Sequence, residues 1–219
     1  MKTQKQMKKS FLLTSIGSLI LALLAFGIES LCRIPCSSFF VGLFLGLFGS
    51  SFVAYAVAAI QHKAEFKNLL IRICVLSANA NNHYCVYRNQ FSMAIKVKAF
   101  TFAAESLSNI RVTISTIRHE IIQLQAADEL KKYASMQQNI VAYCSLLSEV
   151  AEQCADIDKS MYKLIELLNS DDSDAARDIR REIELIDNSM ILKEKYSSRL
   201  EEYLCKFKDF TNPYIKGKV

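Results

Sequence analysis

The run FFVGLFLGLFGSSFVAYAVAAI, residues 39–60, holds no charged side chain. About 20 apolar residues suffice for a helix to cross a bilayer, so the run predicts a transmembrane span. Within it Gly42, Gly46, Ser50, Ala54 and Ala58 recur at every fourth position and so share one side of the helix. Lipid tails are as apolar as leucine, and a face of small residues serves mainly to let another helix approach closely. The span is expected to be a packing element.

Toward the N-terminus lies a second apolar run, residues 11–28, preceded by a basic stretch with Lys2, Lys5, Lys8 and Lys9 in residues 1–10. Basic then apolar is also the order of a secretory signal. The run is long for a signal core and no clean A-x-A site follows, so an uncleaved first span is expected. It has its own small face at Thr14, Ser18, Ala22 and Ala25. The two spans are therefore expected to pack as an antiparallel transmembrane hairpin, with packing between copies in a homo-oligomer or pore as the further reading. Lysines precede the first span, and Lys63, Lys67 and Arg72 follow the second, while the connecting loop offers only Arg33 beside Glu29. By the positive-inside rule both termini are cytoplasmic, in a two-span protein of the inner membrane. The same cations, Lys8 and Lys9 included, are candidates for contact with lipid headgroups. Cys32 and Cys36 in that loop could form a disulfide on an oxidising face or remain as thiols, since a three-residue gap containing Pro35 is geometrically demanding.

Toward the C-terminus the composition changes. Between Gln61 and Asn212 there is neither glycine nor proline, which suits long helices and not the turns of a β-rich domain. The fold class read from this is all-α: the hairpin, then a cytoplasmic antiparallel long-helix bundle or coiled coil over residues 61–212, then a loose tail at 213–219. The second span is expected to run on as a helix until Ser77-Ala78-Asn79-Ala80-Asn81-Asn82-His83, read as a turn because asparagine favours local side-chain bonding over helix. Phe100, Ala103, Leu107, Ile110, Ile114, Ile117, Ile121 and Leu124 then alternate steps of three and four, a heptad seam. A turn near residues 125–128, with Asp128 as a helix cap, is expected before a third helix carrying Leu130, Tyr133, Ile140, Cys144, Leu147, Ala151, Cys154, Met161, Leu164 and Leu168. A last helix is expected to stop at Thr211-Asn212-Pro213. Charge is uneven: from residue 61 to 119 eight bases face two acids, a net of +6, and from 120 to 210 there are 19 acids to 12 bases, a net of −7.

No stretch carries the pattern of a catalytic or cofactor site. His62, His83 and His119 are scattered, a glycine loop for phosphate is absent from residues 61–212, and the cysteines there lack close pairing for zinc. The acidic cluster Asp171-Asp172-Ser173-Asp174 lacks the glycine and terminal glutamate of a calcium loop and reads as a capping turn. No cofactor, metal or enzymatic activity is expected. Tyr84, Tyr87 and Arg88 are raw material for nucleic-acid contact, but the acidic distal half and the lack of a recognisable module disfavour it. Helix-to-helix protein contact is the preferred reading.

In its order of parts (Lys2 to Lys9, span, short loop, small-faced span, glycine-free helical body) the chain resembles two-transmembrane effectors of prokaryotic anti-phage defence, those associated with retrons and the SLATT-type partners of nucleotide-signalling systems. The resemblance implies spans that perturb or permeabilise the inner membrane once an inhibitory or signalling partner, protein or ribonucleoprotein, on the cytoplasmic helices ceases to restrain them. The alternative is a non-toxic anchored scaffold or sensor that recruits a cytoplasmic protein through its heptad seams.

Overall fold

The computed structural model describes residues 4–32, 37–169 and 175–216, and among these every regular element is helical. The elements are α1 (Gln4–Cys32), α2 (Ser37–Lys96), α3 (Phe100–Gln125), a short 3-10 turn (Leu130–Lys132), α4 (Ala134–Leu168) and α5 (Ala175–Ile215). The chain divides into two compact units, Met1–Asn68 and Leu69–Val219, and α2 contributes to both.

In the first unit, α1 and the beginning of α2 are the two helices long and apolar enough to cross a membrane. Large apolar side chains cover their outer surfaces, with Leu23 64% and Phe39 69% exposed. At about 25 cal/mol per Å², so much apolar surface is costly in water and costs nothing in lipid. The covered side of α1 runs Phe11, Ser15, Ser18, Ala22 and Ala25, in steps of four and three. That of α2 runs Val41, Phe44, Phe48, Ser51, Tyr55 and Ala58.

The second unit is built from the rest of α2 with α3, α4 and α5. Its pairings are antiparallel. Arg72 near the start of this part of α2 meets Glu120 near the end of α3. Gln125 at the end of α3 bonds Gln137 at the start of α4. Tyr143 on α4 packs edge-on against Phe207 late in α5, while Lys163 further along α4 pairs with Glu182 early in α5. Cys74 and Arg88 on α2 reach Thr211 and Ser197 on α5, again in opposite order.

The seam read on α3 is the core: Leu107, Ile110, Ile114, Ile117 and Ile121 are buried, while Leu124 is half-buried at the C-terminal end. On α4 the buried seam is Met136, Ile140, Tyr143, Leu147, Val150, Cys154, Ile157, Met161 and Leu164, whereas Ala151 is half-buried and Leu168, at the helix end, is exposed. Each fully buried aliphatic side chain contributes about 1.5–3 kcal/mol by leaving water.

The turn expected near residues 125–128 is present, with α3 ending at Gln125, and three other expectations about the helix ends are corrected. The polar run at 77–83 is not a turn but part of α2, because its residues continue a heptad: Leu70, Ile73, Ser77, Ala80, Tyr84, Phe91 and Ala94 are all buried. The turn comes at Val97–Ala99. There Ala99 N–H donates to Ala94 O at 2.8 Å and Lys98 N–H to Ile95 O at 3.1 Å, with Lys98 at φ 58°. This is the Schellman stop, usually made by glycine in the left-handed region. Second, α4 begins after Tyr133, with no side-chain cap, and Asp128 instead pairs with Lys131 at 2.8 Å. Third, α5 does not stop before Pro213 but passes through it to Ile215. A proline this near the end forfeits one helical bond. Buried Thr211, whose hydroxyl donates to Phe207 O at 2.7 Å, and the Phe210 and Tyr214 rings packed on Tyr133 hold the last turns in place.

Candidate functional site

The residues singled out on the spans divide by position. Of the α1 set, Ser18 and Ala22 are buried and Ala25 half-buried, whereas Thr14 is exposed, its hydroxyl donating to Ser10 O at 3.0 Å. Ser15, missed in the sequence, takes the covered place, because Phe11, Ser15, Ser18, Ala22 and Ala25 follow the seven-residue repeat that Thr14 breaks. Of the α2 set, Ala58 is buried and Ala54 half-buried, but Gly42, Gly46 and Ser50 are exposed. Among the described residues, a Cβ at Gly42 or Gly46 would meet nothing within 4 Å. Ser50 spends its hydroxyl inside its own helix, donating to Gly46 O at 3.0 Å and Leu47 O at 3.1 Å. A serine satisfied in this way can face an apolar medium at little cost. The first part of α2 thus has a covered side rich in aromatic residues and a distinct uncovered stripe of small ones.

Among the basic residues near the spans, Lys9 and Lys63 are exposed and Lys67 half-exposed, while the side chain of Lys8 lies outside the described residues. Arg72 pairs with Glu120 at 3.2 Å, which ties α2 to α3. Cys36, the side chain of Cys32, and the acidic cluster at 171–174 lie outside the described residues, so the loop thiols have no described geometry.

In the body Cys144, Cys154, Tyr84, Tyr143 and Tyr196 are buried, Cys74 and Cys85 are half-buried, and Cys205 and Tyr162 are exposed. Cys74 Sγ is 3.3 Å from Thr211 Oγ1, and burial pushes its thiol pKa up against the opposing contact with Thr211. Burial also raises the Cys144 thiol, with Arg118 opposing. Raised thiols stay protonated and are poor nucleophiles. Tyr196 donates to Glu149 Oε1 at 3.0 Å, and burial together with that bond pushes its hydroxyl up to about 12. Arg199 closes the group by donating to Glu149 Oε2 at 3.0 Å. Tyr84 is buried, Arg88 donates to Ser197 at 3.2 Å, and Tyr87 stacks on His83, so this trio is engaged within the body. His119 is 2.9 Å from Gln123 on the solvent side of α3. Among the described residues no three His, Cys, Asp or Glu side chains come together to hold a metal ion. An open groove of about 410 Å³ lies at the α2–α3 turn, lined by Lys98, Phe100, Phe102, Ile165 and Leu168.

No family model, curated protein or solved structure matches this chain.

Proposed function

We propose that the protein is a membrane-inserted effector whose spans, assembled between copies, permeabilise the bacterial inner membrane when a cytoplasmic partner ceases to restrain them, as in abortive anti-phage defence. In this reading α1 and the first part of α2 form an antiparallel hairpin through the faces Phe11, Ser15, Ser18, Ala22, Ala25 and Val41, Phe44, Phe48, Ser51, Tyr55, Ala58. Both termini and the helical bundle are cytoplasmic. The observation that carries it is the open space beyond Gly42 and Gly46, on a helix whose other side is already covered. Close helix approach in lipid uses such a stripe, and a second copy of α2 fits it. Because α2 is one helix from Ser37 to Lys96, a change in the body has a mechanical route to the stripe.

A scaffold recruiting through its heptad seams has less support, since the seams at Leu107 to Ile121 and Met136 to Leu164 are consumed inside the body. The test is induction of the chain in a bacterial host, beside Gly46→Leu, with growth, membrane potential and membrane insertion followed together. Arrest and depolarisation that Gly46→Leu abolishes, with insertion intact, is the expected outcome. Equal depolarisation by the variant overturns assembly through the stripe, and no depolarisation by the parent chain overturns the effector reading.

A further inference from the structure

The second unit has two ends. Arg72–Glu120, Cys74–Thr211 and Gln125–Gln137 place the start of its α2 segment, the α3–α4 connection and the end of α5 together at one of them. This is also the end at which the chain enters from the apolar run. Only eight residues lie between Ile60 and Leu69, nine steps along the chain that cover about 14 Å if helical and at most about 30 Å if extended. With residues 39–60 in a bilayer, that end of the body lies within reach of the headgroups whatever the angle between the two units.

What the end carries is suited to that position. Tyr133, Phe210 and Tyr214 form a ring cluster, with centroids 5.6 Å apart for Tyr133 and Phe210, 6.5 Å for Tyr133 and Tyr214, and 5.9 Å for Phe210 and Tyr214. All three rings are half-exposed, and Ile215 beside them is 49% exposed. A large apolar side chain and two tyrosines at a helix end are poorly placed for water and well placed for the headgroup layer, where aromatic residues with a polar tip collect. The charges agree. Lys131 is neutralised by Asp128, and Lys208 and Asp209 offset each other on α5, which leaves exposed Lys132 and Lys216 against half-exposed Glu129. A small positive surplus around an aromatic and aliphatic centre complements an anionic surface.

We propose that this end of the body is a docking face for anionic lipid headgroups, with Tyr133, Tyr214 and Ile215 entering the interface and Lys132 and Lys216 meeting lipid phosphates. The body is then held against the membrane by its own surface as well as by its tether. The inference rests on the reading that residues 39–60 cross the bilayer, and the test separates the two.

The chain contains no tryptophan, so a single one reports its own surroundings. Full-length protein carrying Ile215→Trp, which leaves the ring cluster intact, is reconstituted in vesicles of phosphatidylcholine alone or mixed with phosphatidylglycerol, with brominated acyl chains as quencher. Phe48→Trp serves as the span reporter and Met93→Trp as a reporter far along the body. The expected result is a blue-shifted, quenched Ile215→Trp signal in anionic vesicles that weakens several-fold in phosphatidylcholine, in high salt, or with Lys132→Glu and Lys216→Glu added, while Met93→Trp stays unquenched. An unquenched Ile215→Trp beside a quenched Phe48→Trp overturns the docking face and leaves the spans standing. Equal quenching in both lipids overturns the recognition of anionic headgroups, and quenching of Met93→Trp overturns docking by this end. If Phe48→Trp is itself unquenched, the membrane reading fails and the docking face with it.

Discussion

Lys163 Nζ on α4 lies 2.6 Å from Glu182 Oε1 on α5, and the pair joins an exposed cation to a carboxylate residue only 4% exposed. The lysine reaches in from the surface, and its loss would strand a buried negative charge. Lys163→Ala is expected to destabilise the body by about 1–3 kcal/mol, the cost of an unpaired buried polar group, reduced here because the lysine end is open to water. Lys163→Met with Glu182→Leu should recover most of that, since an apolar pair of similar size can replace a buried ion pair. Denaturation midpoints of the single and double variants check both statements. A harmless Lys163→Ala would mean that Glu182 finds another partner.

Lys98 occupies the left-handed region at φ 58°, where the Schellman stop of α2 demands it. Left-handed backbone costs a residue with a Cβ about 1–2 kcal/mol, and glycine avoids that cost. Lys98→Gly is expected to raise stability by about 1 kcal/mol, read as an increase in unfolding midpoint with no change in helix content by circular dichroism. Lys98→Val should lower it, because a β-branched side chain is strained most at positive φ.

These helix ends also show what the sequence can carry. The α3 seam was legible from Leu107 to Ile121 because Ile and Leu alone fill it. The α2 seam was not, because Ser77 and Ala80 hold core positions amid asparagines, and a count of large apolar residues passes over them. Continuing the seven-residue step from Leu70 through Ser77 to Tyr84 and Phe91 would have found it. The stop at Lys98 left no signal, since no glycine marks it. At the spans, small residues every fourth position were visible, but which side of a helix is covered depends on its neighbour, so Ser15 was missed and Gly42 and Gly46 proved uncovered.

Asp158 presents a buried carboxylate oxygen with no hydrogen-bond partner among the described residues, and burial pushes its pKa above the ordinary carboxylate value while Arg111 on α3 partly opposes. A raised pKa in the folded state means that ionisation opposes folding. The stability present below the unfolded value is lost as the pH rises through the folded value. Asp158→Asn is therefore expected to stabilise the protein near neutral pH and to bring no gain below about pH 4, where the parent carboxyl is itself protonated. Unfolding midpoints of parent and variant across that range give the answer, and a gain that is constant with pH would exclude titration of Asp158 as its cause.

Ile114 lies at the middle of the α3 seam and is fully buried against the neighbouring helices. Truncation to alanine removes three carbons from a packed core, and the expected loss is about 2–5 kcal/mol. Ile122, exposed on the same helix, should tolerate alanine with a change below about 0.5 kcal/mol. Comparison of the two in one denaturation series separates packing from helix propensity, which is the same for both. Similar losses at the two positions would mean that the outer side of α3 is covered in the folded protein.

Ala22 and Gly42 make the corresponding contrast within the spans. Ala22 is 2% exposed on the covered side of α1, and Gly42 looks onto open space on α2. Leucine at position 22 must displace whatever covers it, and overpacking of this kind costs about 1–3 kcal/mol. A Cβ at position 42 meets nothing within 4 Å among the described residues, and leucine improves helix propensity, so a monomer is expected to accept it without loss. Thermal unfolding in detergent at high dilution is expected to show Ala22→Leu destabilised and Gly42→Leu unchanged or raised. The same Gly42→Leu variant, crosslinked at high density in a bilayer, should yield fewer dimers than the parent if copies meet along the stripe. Loss of stability at Gly42 under dilute conditions would instead mean that the stripe is packed inside a single chain, and assembly through it would fall.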